Sequence, residues 1–435
     1  GADAETGIAA VYSGMKTSQS ELFFLDHYVN GDAQSDNSYA GADNPDNFQI
    51  DDYKISSTNR NISRDWKYFY GLIGTCNGVI ERTPKAVGLD AGRRDEIIGE
   101  ASFMRGFLYF GMVQLWGGVP IVTKPVPEIT SDNFAEVYSI LYPDSKTQEE
   151  VYTQIINDLT TAVNQAPTAY GPTKMRGTKA AAHAILAKVY ATRQPADWNK
   201  VNEHADAVIA SGFSLLPSYE QLWDGMHENS AESIFELDCI GGATGSNWGS
   251  SMFVGKDWKK FNTPTHDLVD LFDAEQDMVR KNSSILFQKI TSWTDVNWDI
   301  SNYPFCYKMR NTNGTQNQIL LRLADILLLK AEALTELGQL DAVSGAQYYV
   351  NLVRSRAKLA PTTATTADAL RTAIAKERRL ELAFEGHRWY DLKRTGKAIE
   401  TMTALGYTLN ENKLLFPIPQ GERDKNINLK QNPGY

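Results

Sequence analysis

Cysteine is scarce in this sequence. Cys76, Cys239 and Cys306 are all there are, too few and too widely spaced for a disulfide scaffold or a cysteine-based zinc site, so they read as packed thiols. Long apolar runs are missing too. The greasiest segment, ILLRLADILLLKAEAL from Ile319, is interrupted by Arg322, Asp325, Lys330 and Glu332, so it is not a membrane-spanning helix. The opening GADAETG has neither the basic start nor the apolar core of a signal peptide, and any export segment is expected upstream of it. Basic residues number 43 against 53 acidic ones, for a net charge of −10. No polycationic face is expected, which excludes nucleic acid as a partner.

Catalytic signatures are equally thin. The six histidines include no pair at i, i+4, which removes H-E-x-x-H zinc chemistry. Gly241 to Ser246, GGATGS, has no lysine and is no P-loop, and Gly245 to Gly249, GSNWG, is not a G-x-S-x-G elbow. Ser13-Gly14-Met15-Lys16, Ser35-Asp36-Asn37, Ser131-Asp132-Asn133 and Arg394-Thr395-Gly396 approximate the S-x-x-K, S-D-N and K-T-G set of serine β-lactamases. Nothing near them supplies the mixed sheet that those motifs need. Asp32, Asp36, Asp43, Asp46 and Asp51 fit no EF-hand spacing and read as turn formers. No cofactor, metal or catalytic residue is expected.

Helices dominate what is there. Asp95 to Trp116, DEIIGEASFMRGFLYFGMVQLW, is apolar around most of its circumference, the mark of a helix buried on several sides, and Gly117-Gly118-Val119-Pro120 ends it. Arg105 in its middle needs a buried partner and reads as half of a structural ion pair. TKAAAHAILAKVYATRQPADWNKVNEHADAVIAS from Thr178 and RLADILLLKAEALTELGQLDAVSGAQYYVNLVRSR from Arg322 align without gaps, matching Ala180 with Ala324, Ala187 with Ala331, Asp197 with Asp341 and Ile209 with Val353. Each reads as a helix, a turn and a second helix, the tetratricopeptide-type hairpin of about 34 residues. The helices around Phe107 and Leu380 are expected to stack on these pairs. The fold class that follows is all-α, an α-α superhelix of tetratricopeptide-like hairpins with a loop-rich ligand-binding part. Its expected divisions are 1–211 and 212–435, the latter split into a loop-rich 212–318 and a helical 319–435.

Aromatic residues stand out in the loops. Gly212 to Gln318 and Asn30 to Asp52 are rich in Gly, Ser, Asn and Asp, yet carry tryptophan and tyrosine. Long irregular segments of this kind are functional or disordered, and their aromatics argue for order. An indole or phenol can stack on the C–H face of a pyranose while Asn and Asp bond its hydroxyls. The candidate ligand-binding residues are Asp36, Asn37 and Tyr39, Asn247 and Trp248, Trp258, and Trp293 with Trp298. The competing reading of any one ring is that it plugs its own loop onto the helices.

ERRLELAFEGHRWYDLKRTGK, Glu377 to Lys397, would make about six helical turns. Its acids have basic residues at i, i+3: Arg378 with Glu381, Glu385 with Arg388, Asp391 with Arg394. Paired in this way they are structural charges, and Gly386 among them points to another backbone or side chain pressing there.

Several segments together resemble the SusD/RagB family of nutrient-binding outer-membrane lipoproteins. They are WKYFYGLIGTCNGVIE from Trp66, EASFMRGFLYFGMVQLWGGVPIVT from Glu100, RLADILLLKAEAL from Arg322, the stretch from Glu377, and the terminal LLFPIPQGERDKNINLKQNPGY. A small departure is Asp325, where the family usually carries Glu. The resemblance implies a non-enzymatic cell-surface protein, tethered to the outer membrane by a lipidated cysteine upstream of residue 1. Such a protein binds oligosaccharide or polysaccharide and acts as a lid on a TonB-dependent transporter resembling SusC. No binding residue carries over by motif, because the family's ligand loops vary. Alternatives are a peptide-binding RagB-like member and an all-helical glycoside hydrolase using two loop carboxylates.

Overall fold

The computed structural model describes residues 1–17, 21–41, 43–242, 245–253, 260–291 and 294–435. Side-chain caps set the starts of its longer helices. Asn59 accepts from the Asn61 and Ile62 amides to open Arg60–Arg82, and Asp90 accepts from the Arg93 amide to open Ala91–Trp116. From Gly99 onward nearly every residue of the second helix is buried, as its all-round apolar pattern requires. A side chain at Gly99 would run into the backbone of Ala166, so this glycine lets the helix lie against Gln148–Gln165. Arg105 has the anticipated partner: Nε donates to Asp158 Oδ2 at 2.9 Å and Nη2 to Oδ1 at 2.6 Å.

Both hairpins are present. Lys179–Thr192, capped by Thr178, pairs with Trp198–Ile209, capped by Asp197, and Leu323–Glu336 pairs with Ala346–Arg356. Ala184, Ala187, Ala324 and Ala331 are fully buried where the helices approach. Leu323–Glu336 also packs on Trp198–Ile209, while Gln148–Gln165 and Ala367–Glu381 extend the stack at either side. The result is the expected helical superhelix, with the three thiols buried and unpaired. Among the described residues, strands form three two-stranded antiparallel pairs: Ser38–Tyr39 with Thr263–Pro264, Ser233–Leu237 with Gln318–Arg322, and Ile285–Gln288 with Tyr303–Cys306. Ser38–Tyr39 lies in the early loop and the other five strands within or beside 212–318, which also holds the short helices His266–Ala274 and Met278–Ser284.

The stretch from Glu377 is not one helix. Ala367–Glu381 ends, the chain turns through Phe384 (φ 63°) and Gly386 (φ 82°), and helix resumes at Arg388–Arg394. Only the pair Asp391–Arg394, at 2.9 Å, follows the i, i+3 expectation. Arg378 binds Asp325 and Asp391 instead of Glu381, and Glu385 binds Arg322 and Lys308 instead of Arg388. The corner turns Glu385 away from Arg388 and into the interior, where Glu381, on the same helix as Arg378, also finds its partners. There Arg280, Lys308, Arg322 and Arg356 meet Glu232, Asp277, Glu377, Glu381 and Glu385. Burial alone would raise the Glu381 carboxyl, but Arg356, Arg322 and Arg280 together hold it far below the usual carboxylate range.

Gly386 is where the corner meets the early loop. Its amide donates to Asp32 Oδ2 at 2.9 Å, and a Cβ there would sit 2.4 Å from His27 Nε2. Gly386→Ala is therefore expected to cost about 1–3 kcal/mol in backbone strain and more from the clash. Gly396→Ala, with a similar φ of 70° and open space around its Cβ, should lower the thermal midpoint less. Equal midpoints for the two variants would refute the close approach.

Candidate functional site

The loop from Asn30 to Asp52 is ordered by backbone pairing and by arginines beneath it. Ser38 and Tyr39 pair with Pro264 and Thr263, and the Gly41 amide donates to the Lys260 carbonyl at 2.6 Å. Asn44 then caps Pro45–Asp51, whose first residue is a proline preset for that position. From below, Arg388 grips the Asp36 carboxylate through Nε and Nη2 at 2.8 and 2.9 Å, and Arg379 Nε donates to Asn37 Oδ1 at 2.8 Å. Burial raises the Asp36 carboxyl, but the bonds to Arg388 and the charges of both arginines bring it below its ordinary value.

These contacts leave a cleft of about 500 Å³ between the early loop, the segments around Thr265 and Asp295, and the turn at Leu405 and Tyr407. Tyr39 forms its inner wall. Its hydroxyl donates to Asp295 Oδ2 at 2.7 Å, and the Tyr303 hydroxyl donates to the same oxygen at 2.8 Å. Burial, then the neighbouring Tyr303 and Asp295, push the Tyr39 hydroxyl far up, so it remains a donor. At the mouth His266 stacks on Trp298 with centroids 3.6 Å apart and an 18° tilt, and the indole Nε1 donates to the Pro264 carbonyl at 3.0 Å. Phe48, Asp52, His266, Asp267, Asn297 and Leu405 are exposed around the opening. Rigid ring surfaces beside acceptors and amides in an open groove suit a hydroxyl-rich ligand with apolar faces.

The expected site residues fall into three groups. Tyr39 lines the inner wall of the cleft but is itself largely buried, with its hydroxyl tied to Asp295, and Trp298 backs the mouth through His266. Asp36, Asn37 and Asn247 are buried, contrary to the expectation that they face ligand: the first two hold the loop to the arginines, and Asn247 Nδ2 donates to the Gln316 carbonyl at 2.9 Å. Trp248 packs against the core. Their polar, loop-like sequence context is the same for a ligand contact and for a loop fastener. Trp258 and Trp293 lie outside the described residues. Four of the five aspartates considered for calcium have separate partners, Gly386 for Asp32, Arg388 for Asp36, Arg60 for Asp46 and the Ala40 amide for Asp51, and Asp43 is exposed. Among the described residues no three His, Cys, Asp or Glu side chains gather to hold a metal ion.

Sequence reasoning missed Phe48, His266, Asn297 and Tyr407. Phe48 had a signal, an aromatic inside the polar run DNPDNFQIDD. Tyr407 had none, since folding alone brings it to the cleft.

Two family models match this chain, one described as "SusD family" over residues 252–435 and one as "Starch-binding associating with outer membrane" over residues 2–191. The chain belongs to the SusD family. Among its SusD relatives is SusD-like protein P2 of Formosa agariphila, 29% identical, with 89% of this chain and 83% of that protein aligned. A solved structure titled a laminarin-binding SusD-like protein is 26% identical, superposes with a TM-score of 0.83, and covers 100% of this chain and 99% of its own. Surface glycan-binding protein A from Bacteroides fluxus, 22% identical over 100% of this chain and 99% of its own, has the same fold with a TM-score of 0.82. The SusD fold here thus places the cleft on a helical platform shared with glycan-binding proteins.

Proposed function

We propose that this chain captures an oligosaccharide or polysaccharide in the cleft of Tyr39, Phe48 and His266 and passes it, uncleaved, to a SusC-like TonB-dependent transporter. It would work at the cell surface, attached to the outer membrane through an N-terminal lipid. The observation that carries the reading is the open cleft itself, with ring surfaces fixed by Asp295 and Pro264 and polar residues exposed at its rim. Trp258 and Trp293, from the same loops, remain proposed contacts. In this view residues 1–211 and 319–435 form the helical platform, and 212–318 with the early loop form the binding part. A protein partner is supported by the exposed apolar residues Val126, Ile129, Phe134, Tyr138, Leu141 and Ile427.

Calorimetric titration with neutral oligosaccharides tests the reading. Phe48→Ala and Asn297→Ala are each expected to weaken binding about tenfold, or roughly 1.4 kcal/mol, with little change in thermal midpoint. Wild-type affinity in both variants would move the site elsewhere. Release of reducing ends during incubation would restore the hydrolase, and binding of peptides in place of glycans would favour the peptide-binding alternative.

A further inference from the structure

The charges around the cleft are of one sign. Asp52, Asp267 and Asp295 line it with carboxylates, Asp51 adds a carboxyl that burial pushes well above its ordinary value, and among the described lining residues there is neither lysine nor arginine. The basic groups nearest by bonding are already committed. Arg379 donates to Asp267 Oδ2 at 2.6 Å, to Asn37 Oδ1 at 2.8 Å and to the Asp36 carbonyl at 3.0 Å, and Arg388 is clamped on Asp36. The Lys260 ammonium lies 5.4 Å from the centre of the Tyr303 ring, on a side chain that is buried.

Asp295 is held in the wall, its Oδ2 taking the two phenol hydroxyls and its Oδ1 the Asn297 amide at 2.8 Å. Asp52 is exposed at the rim. An ionised carboxylate only accepts hydrogen bonds, which suits the O–H groups of a sugar and repels another anion. Recognition of carboxylate or sulfate needs a guanidinium fork or an ammonium facing the ligand, and the described lining offers none.

We infer that the cleft selects uncharged glycans and rejects polyanionic ones bearing uronate or sulfate groups. This rests on the glycan-capture reading and adds the class of glycan. A groove lined by one charge concentrates its field between low-dielectric walls, so the rejection is electrostatic and acts before close contact.

The test is calorimetric titration of the whole chain with two sets of oligosaccharides of matched length. One set is neutral, from laminarin, starch and mannan; the other is anionic, from alginate and carrageenan. At an ionic strength of about 0.01 M at least one neutral glycan should bind, and every anionic one at least tenfold more weakly. Raising the salt to about 1 M should narrow that gap by shortening the screening length while leaving neutral binding nearly unchanged. An anionic glycan that binds as tightly as the best neutral one at low salt overturns the inference, and so does a gap that salt does not move. If no glycan of either class binds, glycan capture itself fails and the selectivity goes with it.

Discussion

Replacing Arg322 with methionine is expected to remove about 3–5 kcal/mol of stability. The guanidinium is 1% exposed and donates to Glu385 Oε1 and Oε2 at 2.7 Å each, to Glu381 Oε1 at 2.7 Å and to Glu232 Oε1 at 3.0 Å. Methionine fills much of the volume but leaves these carboxylates short of a counter-charge in a medium that solvates them poorly. Arg280, Arg356 and Lys308 would compensate in part. Chemical denaturation of Arg322→Met beside Arg371→Ala, whose ion pairs sit on the surface, separates burial from charge count. The surface variant should stay within scatter of the wild type, and an equally small shift for Arg322→Met would mean the interior network contributes nothing. The same network fixes a sign in acid. Glu381 and Glu385 have folded values below their ordinary ones, so their contribution is complete above about pH 4.3 and is lost as pH falls below it.

The helical platform was legible because its determinants are local. Apolar periodicity, small residues at matching hairpin positions and a lone buried arginine each imply a structural consequence without knowledge of distant residues. Even so, Arg105 implied only that a partner exists, and Asp158 is 53 positions away. The stretch from Glu377 shows where local reasoning stops. Its charges obey helical spacing, so i, i+3 pairing was the natural inference, but positive φ at Phe384 and Gly386 parts Glu385 from Arg388, and Arg378, still in one helix with Glu381, is drawn to Asp325 and Asp391. Gly386 inside the pattern implied a close neighbour, but no local feature says that it is His27 and Gly31. The cleft was legible to a similar depth. Aromatic rings in polar loops pointed to Tyr39 and Trp298, whereas the facing of Asp36, Asn37 and Asn247 is decided by long-range partners. A polar side chain in an irregular segment must satisfy either the segment's own backbone or a ligand, and sequence alone does not distinguish the two.

Arg388 joins that platform to the cleft, which makes its removal the second large effect. The i, i+3 reading has Arg388→Ala orphan Glu385, but Glu385 keeps Arg322 and Lys308. The carboxylate left short is Asp36, only 2% exposed, with Arg379 Nη2 remaining at 3.4 Å from its Oδ2. Loss of a bidentate, largely buried pair with one partner retained is expected to cost about 2–3 kcal/mol. Because Asp36 lies just before the Ser38–Tyr39 strand, loosening it should also let Tyr39 drift from Asp295 and weaken glycan binding in the protein that remains folded. A double-mutant cycle with Asp36→Ala separates the two contributions. Removing both partners should recover part of the stability, since no buried charge is then left unpaired, but none of the affinity, since the loop still lacks its anchor. Recovery of binding in the double variant would show that the brace sets stability alone and that the cleft keeps its shape without it.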